Sequence, residues 1–287
     1  MPKSQHKRHV LVLGASGKIG RMLHRWWQAN PPTVIAPLWQ YRENPEQGGV
    51  IWWPGSTAPQ ELPAISAVVA LWGVTPGEGR DLAKNSPLAR AAIDLATTLG
   101  ADRVLHCSTA AVYTPASGAL KESDAGVAPN PYGAAKLDME NTIVEHNRHR
   151  PGAPANTVLR IGNVSGADSL FAAMTSTPNR VTLDRFATGH GPMRSYISPV
   201  SLARVIEALV TCPLDQLPAV LNVATPNPVA MEAIARACGR DVTWKPAPDS
   251  AAPMVWLDTT ELDRIIHLED ETPEQIATYW TMLKDPE

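Results

Sequence analysis

Longer than the ~100–200 residues of a typical domain, the 287-residue chain fits either one large α/β unit or a core with a smaller satellite. Its 44% hydrophobic and 18% charged residues can build a core, which excludes a disordered chain, and a net charge of -3 lacks the basic excess of a nucleic-acid binder. The longest apolar run, Ala67 to Val74, falls far short of the ~20 residues of a spanning helix, so no membrane role is expected.

In chain order, the charged opening Met1 to His9 leads into Val10-Leu11-Val12-Leu13, which stops at glycine short of the ~7–15 apolar residues of a signal peptide. A cytoplasmic location is expected. Arg8 to Leu13 reads as a strand that turns at Gly14-Ala15-Ser16-Gly17-Lys18-Ile19-Gly20 into a helix reaching Ala29. Beyond the Pro31-Pro32 break, strands are predicted at Val34 to Trp39, Val50 to Trp53, Ala67 to Leu71 and Arg103 to Cys107, with a helix over Ser86 to Leu99. A helix from Tyr132 to Asn147 follows, then the loop Arg150-Pro151-Gly152-Ala153-Pro154 and a strand at Thr157 to Ile161. Alternating strands and helices imply an α/β fold with a parallel sheet. After Gly166 the alternation weakens. Ala167 to Met193 reads as a substrate-side insertion, Leu202 to Val210 as a helix and Val220 to Val223 as a strand. Asn227-Pro228 is expected to open another helix, with Asn as N-cap, and Thr272-Pro273-Glu274-Gln275 to start the last one with a capping box.

Cys107, Cys212 and Cys238 are odd in number and far apart, as expected for reduced thiols. No histidine spacing suits a metal, and His146 and His149 near a helix end fit its negative pole. No metal is expected.

Gly14, Gly17 and Gly20 at the first strand-to-helix junction leave room for a pyrophosphate against backbone N–H groups, the competing explanation being a plain tight turn. Tyr132 and Lys136 share a helix face at i and i+4, so the ammonium can favour the phenolate, helped by a cationic nicotinamide. Near them stand His106-Cys107-Ser108-Thr109-Ala110-Ala111-Val112-Tyr113, Glu122 and Pro129-Asn130-Pro131. With Leu71-Trp72-Gly73, Asn85, Leu159 to Val164, Arg194-Ser195-Tyr196-Ile197 and Asn222-Val223-Ala224-Thr225, the arrangement resembles the extended short-chain dehydrogenase/reductase superfamily, in particular its NAD-dependent epimerase/dehydratase family.

That resemblance implies a Rossmann-type doubly wound sheet over residues 1–166 and a smaller, discontinuous substrate-binding region over 167–287, with 196–224 returning to the sheet. It makes Tyr132 the general acid/base, Lys136 the partner that lowers its pKa and holds the nicotinamide ribose, and Thr109 the hydroxyl on the reacting oxygen. Gly14, Ser16, Gly17, Lys18, Ile19, Gly20, Leu71, Trp72, Gly73 and Ser108 are then expected at the cofactor, Ser108 also serving the strand end. Asn85 is expected either at the ribose or simply at a helix start. Asn163 and Arg194 are expected at the substrate, Arg194 on an anionic group unless it is a surface arginine paired with an acid.

Departures narrow the chemistry. Ala110-Ala111 stand where dehydratases of the family carry Asp-Glu, which argues against water elimination, and Ser198 and Ser201 replace a His and an Asp. No acid appears between Thr33 and Arg42, and the Arg42 guanidinium suits a 2′-phosphate if it is not merely a solvated charge, so NADP is favoured over NAD. Most tryptophans should pack in the core, though Trp53 and Trp72 could border the cofactor.

The expected activity is hydride transfer to or from a secondary alcohol or ketone of a sugar-like, anionic small molecule. Alternatives are a nucleotide-sugar epimerase and a non-catalytic NADP-sensing regulator. A homodimer is expected, because the Ser86 to Leu99 helix is apolar on more sides than one sheet can cover.

Overall fold

The structure, a computed structural model, describes residues 7–45, 48–149 and 153–284; residues 1–6, 46–47, 150–152 and 285–287 and the side chains of Arg148 and His149 lie outside that description. The strands are β1 (Arg8–Leu13), β2 (Ile35–Tyr41), β3 (Val50–Ile51), β4 (Ile65–Ala70), β5 (Arg103–Thr109), β6 (Ala155–Ile161), β7 (Asn163–Val164), β8 (Arg180–Arg185), β9 (Met193–Arg194), β10 (Tyr196–Ile197), β11 (Val220–Val223), β12 (Val229–Ala230), β13 (Asp241–Pro246) and β14 (Met254–Val255). The helices are α1 (Lys18–Ala29), α2 (Asn85–Leu99), α3 (Pro131–His149), α4 (Ser169–Ser176), α5 (Pro199–Thr211), α6 (Met231–Ala237), α7 (Thr260–Asp263) and α8 (Pro273–Leu283).

Seven parallel strands form one sheet in the order β11-β6-β5-β4-β1-β2-β3. Fully buried runs such as Val10 to Leu13 of β1 and Ala67 to Val69 of β4 reflect a sheet covered on both faces. On one face Met22, Leu23 and Trp27 of α1 pack with Leu202, Val205 and Ile206 of α5. On the other lie α2 and α3. The strand order reverses between β1 and β4, which opens a crevice at their C-terminal ends.

The apolar excess of α2 has an internal explanation. Ala92, Leu95 and Ala96 face Val68 and Val104 of the sheet, while Ala89 and Ile93 pack on Met139 and Ile143 of α3. The exposed positions are Pro87, Arg90, Asp94, Thr97 and Thr98, a polar face. The second surface that the sequence required is therefore α3 of the same chain, and the packing of α2 gives the expected homodimer no support.

After Gly166 a second cluster gathers Phe171 and Met174 of α4, Val181 and Leu183 of β8, Ile234 of α6 and Ile276 and Trp280 of α8. The predicted helix at Asn227 is a correction. Val229 and Ala230 instead pair antiparallel with Met193 and Arg194, the helix starts at Met231 with Ala230 as N-cap, and Asn227 bonds Asp270 through its backbone and its amide. The capping box at Thr272 and Gln275 is present as expected. Ser198 caps α5 by accepting from Ser201 N–H, and buried Glu271 accepts from Ser198 N–H at 2.9 Å and from both serine hydroxyls. A carboxylate from a distant segment thus serves the two serines.

Candidate active site

Close approaches build the glycine turn. Gly14 has φ +88°, and a Cβ there would lie 2.9 Å from Trp72 N, so only glycine suits the position. Its N–H donates to Gln40 Oε1 at 3.0 Å, and Gly17 N–H closes the turn on Gly14 O at 3.0 Å. A Cβ on Gly20 would fall 2.7 Å from Ala15 O. No side chain caps α1 at Gly17, and its first turn holds no acid. Backbone N–H groups at the positive end of this 12-residue helix, beside the crevice, fit a pyrophosphate. Ser16, Gly17 and Lys18 are exposed, Ile19 is half-buried, and Lys18 Nζ reaches Ala167 O at 3.4 Å.

Leu71, Trp72 and Gly73 leave β4 on the opposite wall. Asn85 Oδ1 accepts from Val74 N–H at 3.0 Å, while Nδ2 donates to Val74 O and Leu82 O at 3.0 and 2.9 Å. The amide of Asn85 is thus committed to holding this wall from the start of α2. Past the end of β2, Arg42 and Glu43 are exposed, whereas Gln40 is buried and serves Gly14 and the Trp52 carbonyl.

The proposed chemical centre lies where β5 meets α3. Thr109 Oγ1 accepts from Ala111 N–H at 3.2 Å, and its hydroxyl lies by the Tyr132 phenol, where it favours the ionised form. Gly133 allows this approach, since a Cβ there would overlap the Ala111 carbonyl. One turn on, buried Lys136 donates to Cys107 O at 2.8 Å and leans on Met139 Sδ at 3.8 Å. Burial, and then Cys107, push the Tyr132 phenol above its ordinary value, with the Thr109 hydroxyl opposing. Burial holds the Lys136 ammonium down. Lowering of the phenol is thus not achieved by the protein groups alone.

Beneath Thr109 runs a buried network. The Ser108 hydroxyl donates to Glu140, which pairs with Arg160 at 2.7 Å; Arg160 also donates to Tyr113 Oη at 3.0 Å and Glu122 O at 2.7 Å. Tyr113 donates to Asn222 Oδ1 at 2.6 Å, and Asn222 N–H to Glu122 Oε1 at 2.8 Å. Ser108 therefore spends its hydroxyl on the framework that fixes α3 to β6 and β11. Glu140 and Gly133 shape the candidate site and are missed by sequence reasoning. The i, i+4, i+8 spacing of Tyr132, Lys136 and Glu140 is the available signal for the former.

On the far side, Asn163 Nδ2 donates to Asp168 Oδ2 at 2.6 Å, which also accepts from Tyr196 Oη at 2.7 Å; burial raises the Asp168 carboxyl. The Arg194 guanidinium is clasped by carbonyls, from Nη1 to Met193 O at 2.7 Å and from Nη2 to Ala252 O at 3.0 Å. Burial pulls it down, while Tyr196, Asp184 and Asp168 oppose. It forms no ion pair among the described residues, so carbonyls hold it without neutralising it. A cavity of about 480 Å³ is bordered by Pro226, Trp256, Asp258 and His267 and includes neither Thr109, Tyr132 nor Lys136.

Among the described residues no group of three metal-ligating side chains and no helix long and apolar enough to cross a membrane is present. No curated protein matches the sequence significantly. Solved structures share the fold: a NAD-dependent NDP-hexosamine 5,6-dehydratase of tunicamycin biosynthesis at 21% identity and TM-score 0.76, covering 97% of this chain and 99% of that one. The UDP-glucuronic acid 4-epimerase of Bacillus cereus gives 14% and 0.77, covering 96% and 98%. The dTDP-glucose 4,6-dehydratase DesIV of Streptomyces venezuelae gives 16% and 0.72, covering 96% of each. The sequence pattern of the NAD dependent epimerase/dehydratase family matches residues 10–190, and with more than half its length so matched the chain belongs to that family.

Proposed function

We propose that this protein is a NAD(P)-dependent oxidoreductase that moves hydride to or from a secondary alcohol or ketone of a sugar-like, anionic substrate. The carrying observation is the Tyr132 phenol beside the Thr109 hydroxyl, with Lys136 one turn along α3 and the uncapped start of α1 across the crevice. Gly14, Gly17, Gly20 and the N–H groups of α1 would hold the pyrophosphate, and Lys136 the nicotinamide ribose. A nicotinamide dinucleotide bound there would supply the hydride acceptor or donor and, when oxidised, a positive ring beside the buried phenol. Tyr132 then exchanges its hydroxyl proton with the reacting oxygen, while the Thr109 hydroxyl orients that oxygen. Ala110 and Ala111 offer no second acid and base, which favours redox chemistry over water elimination. Residues after 166 supply the substrate side, where the Arg194 guanidinium would meet an anion.

The same residues serve an epimerase, and the distinction is whether reduced cofactor accumulates. Arg42, exposed just past β2, favours NADP. Titration of both cofactors against tryptophan fluorescence tests this: tighter NADP binding, narrowed by Arg42→Ala through loss of NADP affinity alone, supports it, and equal affinities in the parent refute the preference. Failure of both cofactors to bind overturns the assignment of function.

A further inference from the structure

Gln40 stands one residue before the end of β2, at the mouth of the crevice, yet only 2% of it is exposed. Its amide is turned inward, under the glycine turn. Gly14 N–H donates to its Oε1 at 3.0 Å and its Nε2 donates to Trp52 O, so a backbone donor on one side and a backbone acceptor on the other dictate which end of the amide is oxygen. The Gln40 carbonyl accepts from Ala15 N–H at 3.3 Å. The N–H groups of Gly14 and Ala15 therefore both end on this one residue.

The contacts close a circuit. Trp52 N–H donates to Tyr41 O at 3.0 Å, and the Trp52 indole stacks on that of Trp72 with centroids 5.7 Å apart and planes at 29°. The Trp72 backbone in turn abuts Gly14, where a Cβ would lie 2.9 Å from Trp72 N. From Gly14 the path runs through Gln40, Trp52 and Trp72 and back to Gly14, tying together the ends of β1, β2, β3 and β4. Gly14, with φ +88°, has little conformational restraint of its own, so the place of the turn depends on ties of this kind.

We infer that Gln40 is a positioning residue for the glycine turn: it holds the turn down so that the start of α1 meets the pyrophosphate, and it does so as a neutral side chain carrying both an acceptor and a donor. Leucine has a similar volume but leaves Gly14 N–H and Trp52 O without their partner, and both must then find water, which moves the turn. Glutamate is the informative replacement. Its protonated carboxyl offers a carbonyl oxygen to Gly14 N–H and a hydroxyl to Trp52 O; once ionised it has no donor and sets a carboxylate oxygen against a carbonyl oxygen. This goes beyond the proposed function but rests on its reading of the turn as the pyrophosphate site.

The test compares the parent, Gln40→Leu and Gln40→Glu in two measurements. In the first, the affinity for NAD and for NADP is titrated by fluorescence from about pH 5.5 to about pH 9, a range in which a buried carboxyl ionises, and each variant is expressed as a ratio to the parent at the same pH. Gln40→Leu should bind about 10-fold more weakly throughout, the effect of one buried hydrogen bond. Gln40→Glu should match the parent at the acid end and weaken about 10-fold toward the alkaline end. A ratio for Gln40→Glu that stays constant with pH, or parent affinity in Gln40→Leu, overturns the inference, and the pH profile of Gln40→Glu decides the matter if Gln40→Leu does not fold. The second measurement is amide hydrogen exchange at Gly14 in the protein without cofactor. Exchange should be about 10-fold faster in Gln40→Leu than in the parent while Val104 and Leu105 of β5 are unchanged; equal protection of Gly14 overturns the inference. A parent protein that binds neither cofactor refutes the proposed function instead, and hydrogen exchange still decides whether Gln40 holds the turn.

Discussion

Replacing Arg160 by Met should destabilise the protein by about 4 kcal/mol. Only 6% of Arg160 is exposed, and its guanidinium meets Glu140 at 2.7 and 3.0 Å, Tyr113 Oη at 3.0 Å and Glu122 O at 2.7 Å. Four hydrogen bonds at a net ~1 kcal/mol each give ~4 kcal/mol, and stranding one member of a buried ion pair costs ~3–5 kcal/mol, two views of the same loss. For a chain of this size the change corresponds to a fall in Tm of roughly 8–16 °C. Urea denaturation followed by far-UV circular dichroism measures it. Arg160→Met combined with Glu140→Met should recover at least ~1 kcal/mol, because no carboxylate is then left buried without its cation. A single substitution costing under ~1 kcal/mol would place the pair among screened surface contacts and refute the account of how α3 is anchored.

Gly20→Ala should abolish detectable cofactor binding in a fluorescence titration while leaving far-UV circular dichroism near that of the parent, because its Cβ would strike Ala15 O and force α1 away from the turn; unchanged affinity would show that the turn does not bind the cofactor. The pH dependence of stability should carry a signature of His106. Its pKa is about 4 when folded and 6.5 ordinarily, so the unfolded chain binds more protons between those values. The stabilisation is complete above about pH 6.5 and is lost as pH falls toward 4, up to ~3 kcal/mol, with Lys136 and His146 contributing to the shift after burial and opposed by the Asn156 bond. His106→Leu should flatten that slope, and an identical slope in both proteins would contradict it.

The parts of the fold legible in the sequence are those written locally. The strand, glycine turn and helix from Arg8 to Ala29 occupy consecutive residues, and Tyr132 and Lys136 lie one helical turn apart, so spacing alone places them. The strand predicted at Val220 to Val223 has the bounds that the structure shows. What escapes depends on partners far along the chain. Ser108 and Glu140 are 32 positions apart, Tyr113 and Asn222 109, and Ser198 and Glu271 73, distances over which no periodicity survives. Asn227 misleads for a related reason: its cap-like sequence is overridden by Asp270 and by pairing with β9. Helix α2 misleads because apolar residues on two sides do not reveal whether the second cover is another subunit or another helix of the same chain.

The most direct test of the central claim is Tyr132→Phe, assayed for hydride transfer at the absorbance of reduced cofactor with a substrate found by metabolite screening. The substitution removes only the phenolic hydroxyl, leaving the glycine turn and Lys136 in place. Turnover is predicted to fall ~100-fold or more while cofactor affinity changes little. Turnover retained at the parent rate would contradict the assignment of Tyr132 as the acid/base.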